Sequence, residues 1–218
     1  MSIITLATTK GGAGKTTLAQ VIVGNVYEQG FSVGVIDGDV NNTLSDWLER
    51  FSKIKVDCHR IQDETQIVPM ASALERKHDL VVIDTAGARS QATVFAIGCA
   101  DLVLIPLQLS SSDVIEAIKT YNLVASASEM VKREIPSRVV YTDYTPKTNI
   151  AKYVKKRVKK HQLPTMKTRL HRLVAFKELT FTGDVPKTGT AGAQGQLLVQ
   201  EIQKMGLLPF MDELRMAS

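Results

Sequence analysis

Residues 10–17 read Lys10-Gly11-Gly12-Ala13-Gly14-Lys15-Thr16-Thr17, directly after the apolar run Ile3-Ile4-Thr5-Leu6-Ala7. A strand that runs into a glycine-rich turn and then a helix presents several backbone N–H groups to one point. The helix dipole adds partial positive charge there, which makes that point a phosphate site. Glycines let the backbone approach phosphate oxygens closely. Lys15 can reach the β/γ-phosphates of a nucleotide, and the Thr16 hydroxyl can ligate Mg²⁺.

The usual G-x-x-x-x-G-K-[ST] pattern fails at one position: Thr9 stands where the first glycine belongs, and a second lysine, Lys10, precedes the glycine pair. This deviant Walker A loop resembles that of the ParA/MinD (SIMIBI-type) P-loop ATPases, most closely the small ParA proteins of plasmid partition. The resemblance implies ATP and Mg²⁺ as cofactors, with Lys10, Gly11, Gly12, Ala13, Gly14, Lys15, Thr16 and Thr17 around the phosphates. It also implies that Lys10 reaches across a homodimer to the partner's nucleotide, so that ATP stabilises the dimer and hydrolysis releases it. Phosphoryl transfer is catalysed largely by positioning and charge neutralisation, which gives a cation from a neighbour its use.

Acidic residues follow at the ends of later strands. Val33-Gly34-Val35-Ile36 leads into Asp37-Gly38-Asp39, and Leu80-Val81-Val82-Ile83 ends in Asp84, the Walker B arrangement. Carboxylates at the carboxyl ends of parallel strands stand where open α/β sheets bind ligands. By resemblance Asp39 arranges the attacking water, Asp37 supports Mg²⁺ or the dimer contact, and Asp84 holds Mg²⁺ with Thr16. Thr85-Ala86-Gly87 resembles a switch that senses the γ-phosphate through the Gly87 backbone. The family often continues the first switch with Pro-Gln, whereas Val40-Asn41 stands here. Lys10, Lys15 and Asp39 are the catalytic candidates. Pro106-Leu107-Gln108 with the later Asp113 resembles a family stretch that shapes the dimer face. Thr142 and Asp143, at a strand end, are candidates for the base pocket.

Apolar strand-like runs alternate with helical patterns along the whole chain, which predicts an α/β fold: a mostly parallel, twisted sheet with helices on both faces. The strands are expected at Ile3–Ala7, Ser32–Ile36, Val56–Ile61, Leu80–Ile83, Leu102–Ile105 and Arg138–Tyr141. A first helix should run from Lys15 to a Gly30 cap, and others over 66–77, 91–98, 113–131, 150–161 and 191–205. Nothing marks a domain boundary, so residues 1–218 read as one ATPase domain. With the loop at residue 10, no N-terminal helix-turn-helix domain is expected.

Net charge is +5, but its distribution says more. Of 27 Lys/Arg, eleven fall between Tyr144 and Lys177, a stretch without Asp or Glu; the remainder holds 16 basic and 22 acidic residues. Such asymmetry points to a polyanionic partner. On a helix over 150–161, Ile150, Val154 and Val158 would face inward and Lys152, Lys155, Lys156, Lys159 and Lys160 outward. With Arg169 and Arg172 these are the candidate DNA-binding residues, for backbone contacts to duplex DNA without sequence preference.

Cys58 and Cys99 are isolated, so neither a disulfide framework nor a metal site is indicated, which suits a reducing cytoplasm. His59, His78, His161 and His171 lie at scattered positions without ligand spacing and read as surface residues. No signal peptide and no membrane-length apolar run is recognised. The resemblance implies a bacterial, cytoplasmic, nucleoid-associated ATPase whose hydrolysis is stimulated by a ParB-like adaptor bound to cargo DNA. A VirC1-like accessory ATPase for conjugative transfer shares the site and differs in cargo. A MinD-like membrane ATPase would need a basic amphipathic C-terminal helix, whereas Gly206–Arg215 contains Pro209, Asp212 and Glu213.

Overall fold

The computed structural model describes residues 1–87 and 90–210. Six strands, β1 (Ser2–Leu6), β2 (Val33–Gly38), β3 (Asp57–Arg60), β4 (Leu80–Thr85), β5 (Leu102–Leu107) and β6 (Ser137–Tyr141), form one all-parallel sheet in the order β3-β2-β4-β1-β5-β6. The helices are α1 (Lys15–Glu28), α2 (Thr43–Arg50), α3 (Ile67–Glu75), α4 (Gln91–Cys99), α5 (Ser111–Val131), α6 (Asn149–Lys160), α7 (Val174–Thr182) and α8 (Gly189–Lys204).

The apolar strands are continuous because both faces of the sheet are covered. Side chains alternate across each strand. Ile4 and Leu6 of β1 and Val82 of β4 therefore join a core with α1, α2, α7 and α8. Ile3, Val81 and Ile83 turn the other way, toward α3 and α4. Val103, Ile105 and Val139 carry that second layer on to α5 and α6. The strand-to-helix connections thus converge at the carboxyl edge, where Leu6 and Asp37 both stand in register with Asp84.

Three expectations need correction. Helices α2 and α7 occupy stretches for which no helix is predicted. Both are docked by apolar contacts, and the buried Trp47 of α2 donates its indole N–H to the Leu179 carbonyl of α7 at 2.8 Å. On α6 the inward residues are Ala151, Val154 and Val158, while Ile150 is 40% exposed. The helix begins after the Thr148 cap, and its buried stripe follows i, i+3, i+7 spacing rather than the i, i+4, i+8 series. His78 is not a surface residue: its side chain is 16% exposed, and its ring meets Asp57, which also pairs with His59.

After α6 the chain returns alongside β6. Val139 N–H donates to the Pro164 carbonyl, Met166 N–H to Val139, and Leu170 N–H to Tyr141, each at 2.8–2.9 Å. This run carries Leu170 and His171 to the sheet's carboxyl edge.

Candidate functional site

The glycine loop is held from the ends of two neighbouring strands. Gln108, just past β5, donates from Nε2 to the Gly12 carbonyl at 2.9 Å, and Thr142, just past β6, donates from Oγ1 to the Ala13 carbonyl at 2.8 Å. Gly14 closes the loop at φ +93°, a left-handed geometry that favours glycine, and a Cβ there would sit 3.2 Å from Thr142 Oγ1. No side chain caps the start of α1 behind it. Its first N–H groups therefore remain for a ligand.

Lys15, the first residue of α1, is 6% exposed. Burial lowers its pKa from the usual lysine value, against the opposing attraction of Asp84 and Asp39. Thr16 donates its hydroxyl to Asp84 Oδ2 at 2.8 Å. The other oxygen, Asp84 Oδ1, is buried and has no hydrogen-bond partner. Desolvation drives the Asp84 pKa up to about 7, with Asp37 and Asp39 adding repulsion against the Thr16 bond and the Lys15 charge. A buried carboxylate with one orphan oxygen beside a hydroxyl is a hard-oxygen donor set that suits Mg²⁺, which takes one or two carboxylates and completes its shell from water and phosphate. Among the described residues no cluster of three or more His, Cys, Asp or Glu could hold a metal by itself.

Asp37 is fully buried, and its carboxylate is engaged within the first switch. Oδ1 accepts from the Asp39 N–H at 3.1 Å; Oδ2 accepts from the Ser45 N–H at 2.8 Å and the Ser45 hydroxyl at 2.9 Å. It therefore anchors the first turn of α2 to the end of β2. Asp39 is more exposed, and its Oδ1 accepts from the Asn41 backbone and side chain, both at 2.9 Å. Gly87 lies against the loop: a Cβ on it would be 2.9 Å from both Gly11 Cα and Gly11 N. Only glycine fits that approach without a shift.

Lys10 does not project freely. Its Nζ pairs with Asp113 Oδ1 at 2.9 Å; the Asp113 side chain is 3% exposed, that of Lys10 37%. Asp113 also accepts from the Ser110 hydroxyl while its own N–H donates back to Ser110 Oγ, a reciprocal cap at the start of α5. Thr9 is similarly joined to Glu116 of α5. The Lys10–Asp113 and Thr9–Glu116 pairings link residues more than a hundred positions apart, and no local sequence signal announces them.

Beyond Gly14 and Thr17 opens a cavity of about 210 Å³. Thr142 and Asp143 line it, with Leu170, His171, Leu173 and Phe176 as further walls. The His171 pKa is lowered by burial and then by the Arg169 charge, both of which favour the neutral ring.

The basic candidates differ in exposure and in partners. Lys152, Lys155, Lys156, Lys159 and Lys160 are exposed on α6. Arg169 is half-buried over the Tyr144 and Tyr141 rings at 5.3 and 5.8 Å, and Lys155 Nζ lies 5.3 Å from the Tyr144 centroid. Arg172 forks onto Asp143, with Nε 3.1 Å from both carboxylate oxygens and Nη2 2.6 Å from Oδ2. Arg169 thus shares the Tyr144 ring with Lys155, and Arg172 is neutralised by Asp143, so two of the seven basic candidates are engaged by side-chain partners beside the lysine face. The C-terminal stretch weighed against membrane binding falls partly at 211–215, outside the described residues. Among the described residues no helix is long and apolar enough to cross a membrane.

Residues 1–194 match the VirC1 protein family. A ParA protein of Rhizobium radiobacter is 30% identical over 148 residues; that match spans 67% of this chain and 66%, just under two thirds, of the relative. Among solved structures, an ATP complex of McdA from Cyanothece superposes with a TM-score of 0.77 at 17% identity, covering 97% of this chain and 98% of that one. The cell-division protein MinD of Aquifex aeolicus superposes with a TM-score of 0.73 at 18% identity, covering 94% and 97%. The chain belongs to the VirC1 protein family and shares its fold with McdA and MinD.

Proposed function

We propose that this protein is a Mg²⁺-dependent ATPase that dimerises on ATP, coats duplex DNA without sequence preference and drives the partition of plasmid or other DNA, its hydrolysis stimulated by a separate adaptor. The observation that carries the reading is the group beneath the glycine loop: buried Lys15, Thr16 bonded to Asp84, and the orphan oxygen of Asp84. Thr16 and Asp84 would hold Mg²⁺, which neutralises phosphate charge when bound. Lys15 reaches the β/γ-phosphates. Asp39, at the exposed tip of the first switch, orients the attacking water. Asp37 acts as a positioning residue, because its oxygens are occupied in anchoring α2.

Lys10 leaves Asp113 to reach the nucleotide of the second protomer. Its resting partner Asp113 is buried, so the move exchanges one anion for another, and the Ser110 hydroxyl stays on the Asp113 carboxylate when Lys10 departs. The five lysines of α6, with no acid on that helix, supply the DNA face. Neutralising phosphates releases counterions, so this affinity is salt-dependent. A second reading, recruitment of a conjugative DNA-transfer complex, is favoured by the family match over residues 1–194 and differs only in cargo.

The test is binding to a random-sequence DNA duplex without nucleotide, with ADP, and with ATP plus Mg²⁺, across a salt series. Salt-sensitive binding that requires ATP is the expected outcome. No binding in any state would remove DNA from the reading and leave an ATPase with another polyanionic partner.

A further inference from the structure

Resting on the ATP reading, the geometry points to Arg172 as the residue that sets base selectivity: it holds the Asp143 carboxylate out of the base cavity and so disfavours guanine. Asp143 lines two cavities. One is the base cavity beside Gly14 and Thr17; the other, of about 250 Å³, lies between the starts of α5 and α6. Arg172 lines only the second. Its guanidinium makes three N–H···O contacts of 2.6–3.1 Å with Asp143, which draws the carboxylate toward that side.

The consequence follows from the two purine edges. Guanine offers N1–H and N2–H₂ as adjacent donors, which a free carboxylate accepts in parallel. Adenine offers N6–H₂ as donor and N1 as acceptor, so one of the two carboxylate oxygens would face a lone pair. Asp143 is the single carboxylate among the described residues lining the base cavity. The other polar groups are partly spoken for, since the Thr142 hydroxyl and the Gln108 amide are bonded to the loop carbonyls. With Arg172 on Asp143, guanine would lose the paired carboxylate acceptor for its N1–H and N2–H₂. A site that leaves buried donors unpaired discriminates strongly.

The experiment is equilibrium binding of ATP and GTP, each with Mg²⁺, to the unaltered protein, Arg172→Ala, Arg172→Lys and the double variant Arg172→Ala/Asp143→Asn. Arg172 is exposed, so these variants should fold. The unaltered protein should prefer ATP. Arg172→Ala should tighten GTP about tenfold relative to ATP, the yield of one added charged hydrogen bond. Arg172→Lys, a cation without the fork, should lie between. The double variant should lose the gain. An ATP:GTP ratio unchanged in Arg172→Ala overturns the inference and leaves the ATP reading standing. Equal weakening of both nucleotides does the same. If the unaltered protein binds neither nucleotide, the ATP reading fails and this inference with it.

Discussion

Replacing Asp84 by Asn should make the nucleotide-free protein more stable, and more so as the pH rises. Burial raises the Asp84 pKa from 3.8 to about 7. A carboxyl whose pKa is higher in the folded state binds more protons folded than unfolded between those two values. Stability then falls as pH rises through that window, and the whole penalty is present above pH 7. About three units correspond to about 4 kcal/mol at most. For a chain of this size that is roughly 8–16 °C in Tm. Scanning calorimetry from pH 5 to 8 should show Asp84→Asn melting well above the unaltered protein at pH 8, with the two curves converging toward pH 5. Adding Mg²⁺ and ATP should raise the unaltered protein and leave Asp84→Asn little changed, because the variant lacks the anionic oxygen beside Thr16. Parallel pH profiles for the two proteins, or a variant that melts lower at pH 8, would refute the account of Asp84 as a strained carboxylate awaiting a cation.

Lys15→Ala should abolish nucleotide binding by calorimetric titration; retained ATP affinity would overturn the glycine-loop assignment. Asp39→Ala should still form an ATP-dependent dimer by sedimentation yet release phosphate far more slowly, and normal turnover would take Asp39 out of the mechanism. Gly87→Ala forces a Cβ to within 2.9 Å of the Gly11 backbone. It should cost about 1–3 kcal/mol in the closed loop, seen as weakened ATP binding; ATP affinity equal to that of the unaltered protein would mean that the loop and switch separate freely. Reversing Lys155, Lys156, Lys159 and Lys160 to Glu should weaken DNA binding and flatten its salt slope by up to about 0.9 per lost phosphate contact. An unaltered slope would clear α6 of that role.

The sheet was legible because its strands are buried on both faces, which leaves short apolar runs such as 80–83 and 102–105 that need no long-range information. Helix α2 carries a readable signal in Leu44, Trp47 and Leu48 at i, i+3, i+4 spacing, but it is only two turns long and follows the switch directly. Helix α7 was hidden by the basic stretch around it, although Phe176 and Leu179 are buried. The phosphate end of the site could be read from sequence since its residues are contiguous or cap apolar strands. Lys10 with Asp113, and Arg172 with Asp143, could not: each pair is made by chain crossings between distant segments. Asp143 stands one residue before the acid-free stretch and neutralises Arg172 within it, a pairing that charge distribution along the chain does not reveal.

The tie between Trp47 and the Leu179 carbonyl gives the protein a built-in optical reporter. Trp47 is the only tryptophan in the chain, 2% exposed, and sits on the helix whose first turn is anchored by Asp37. Its emission in the resting protein should be that of a dry, hydrogen-bonded indole. Any rearrangement of the loop carrying Asp39 that tilts α2 would strain or break that bond and redden the spectrum. The two ends of the nucleotide site, one served by α2 and the other walled by α7, can thus be followed in real time without attaching a label.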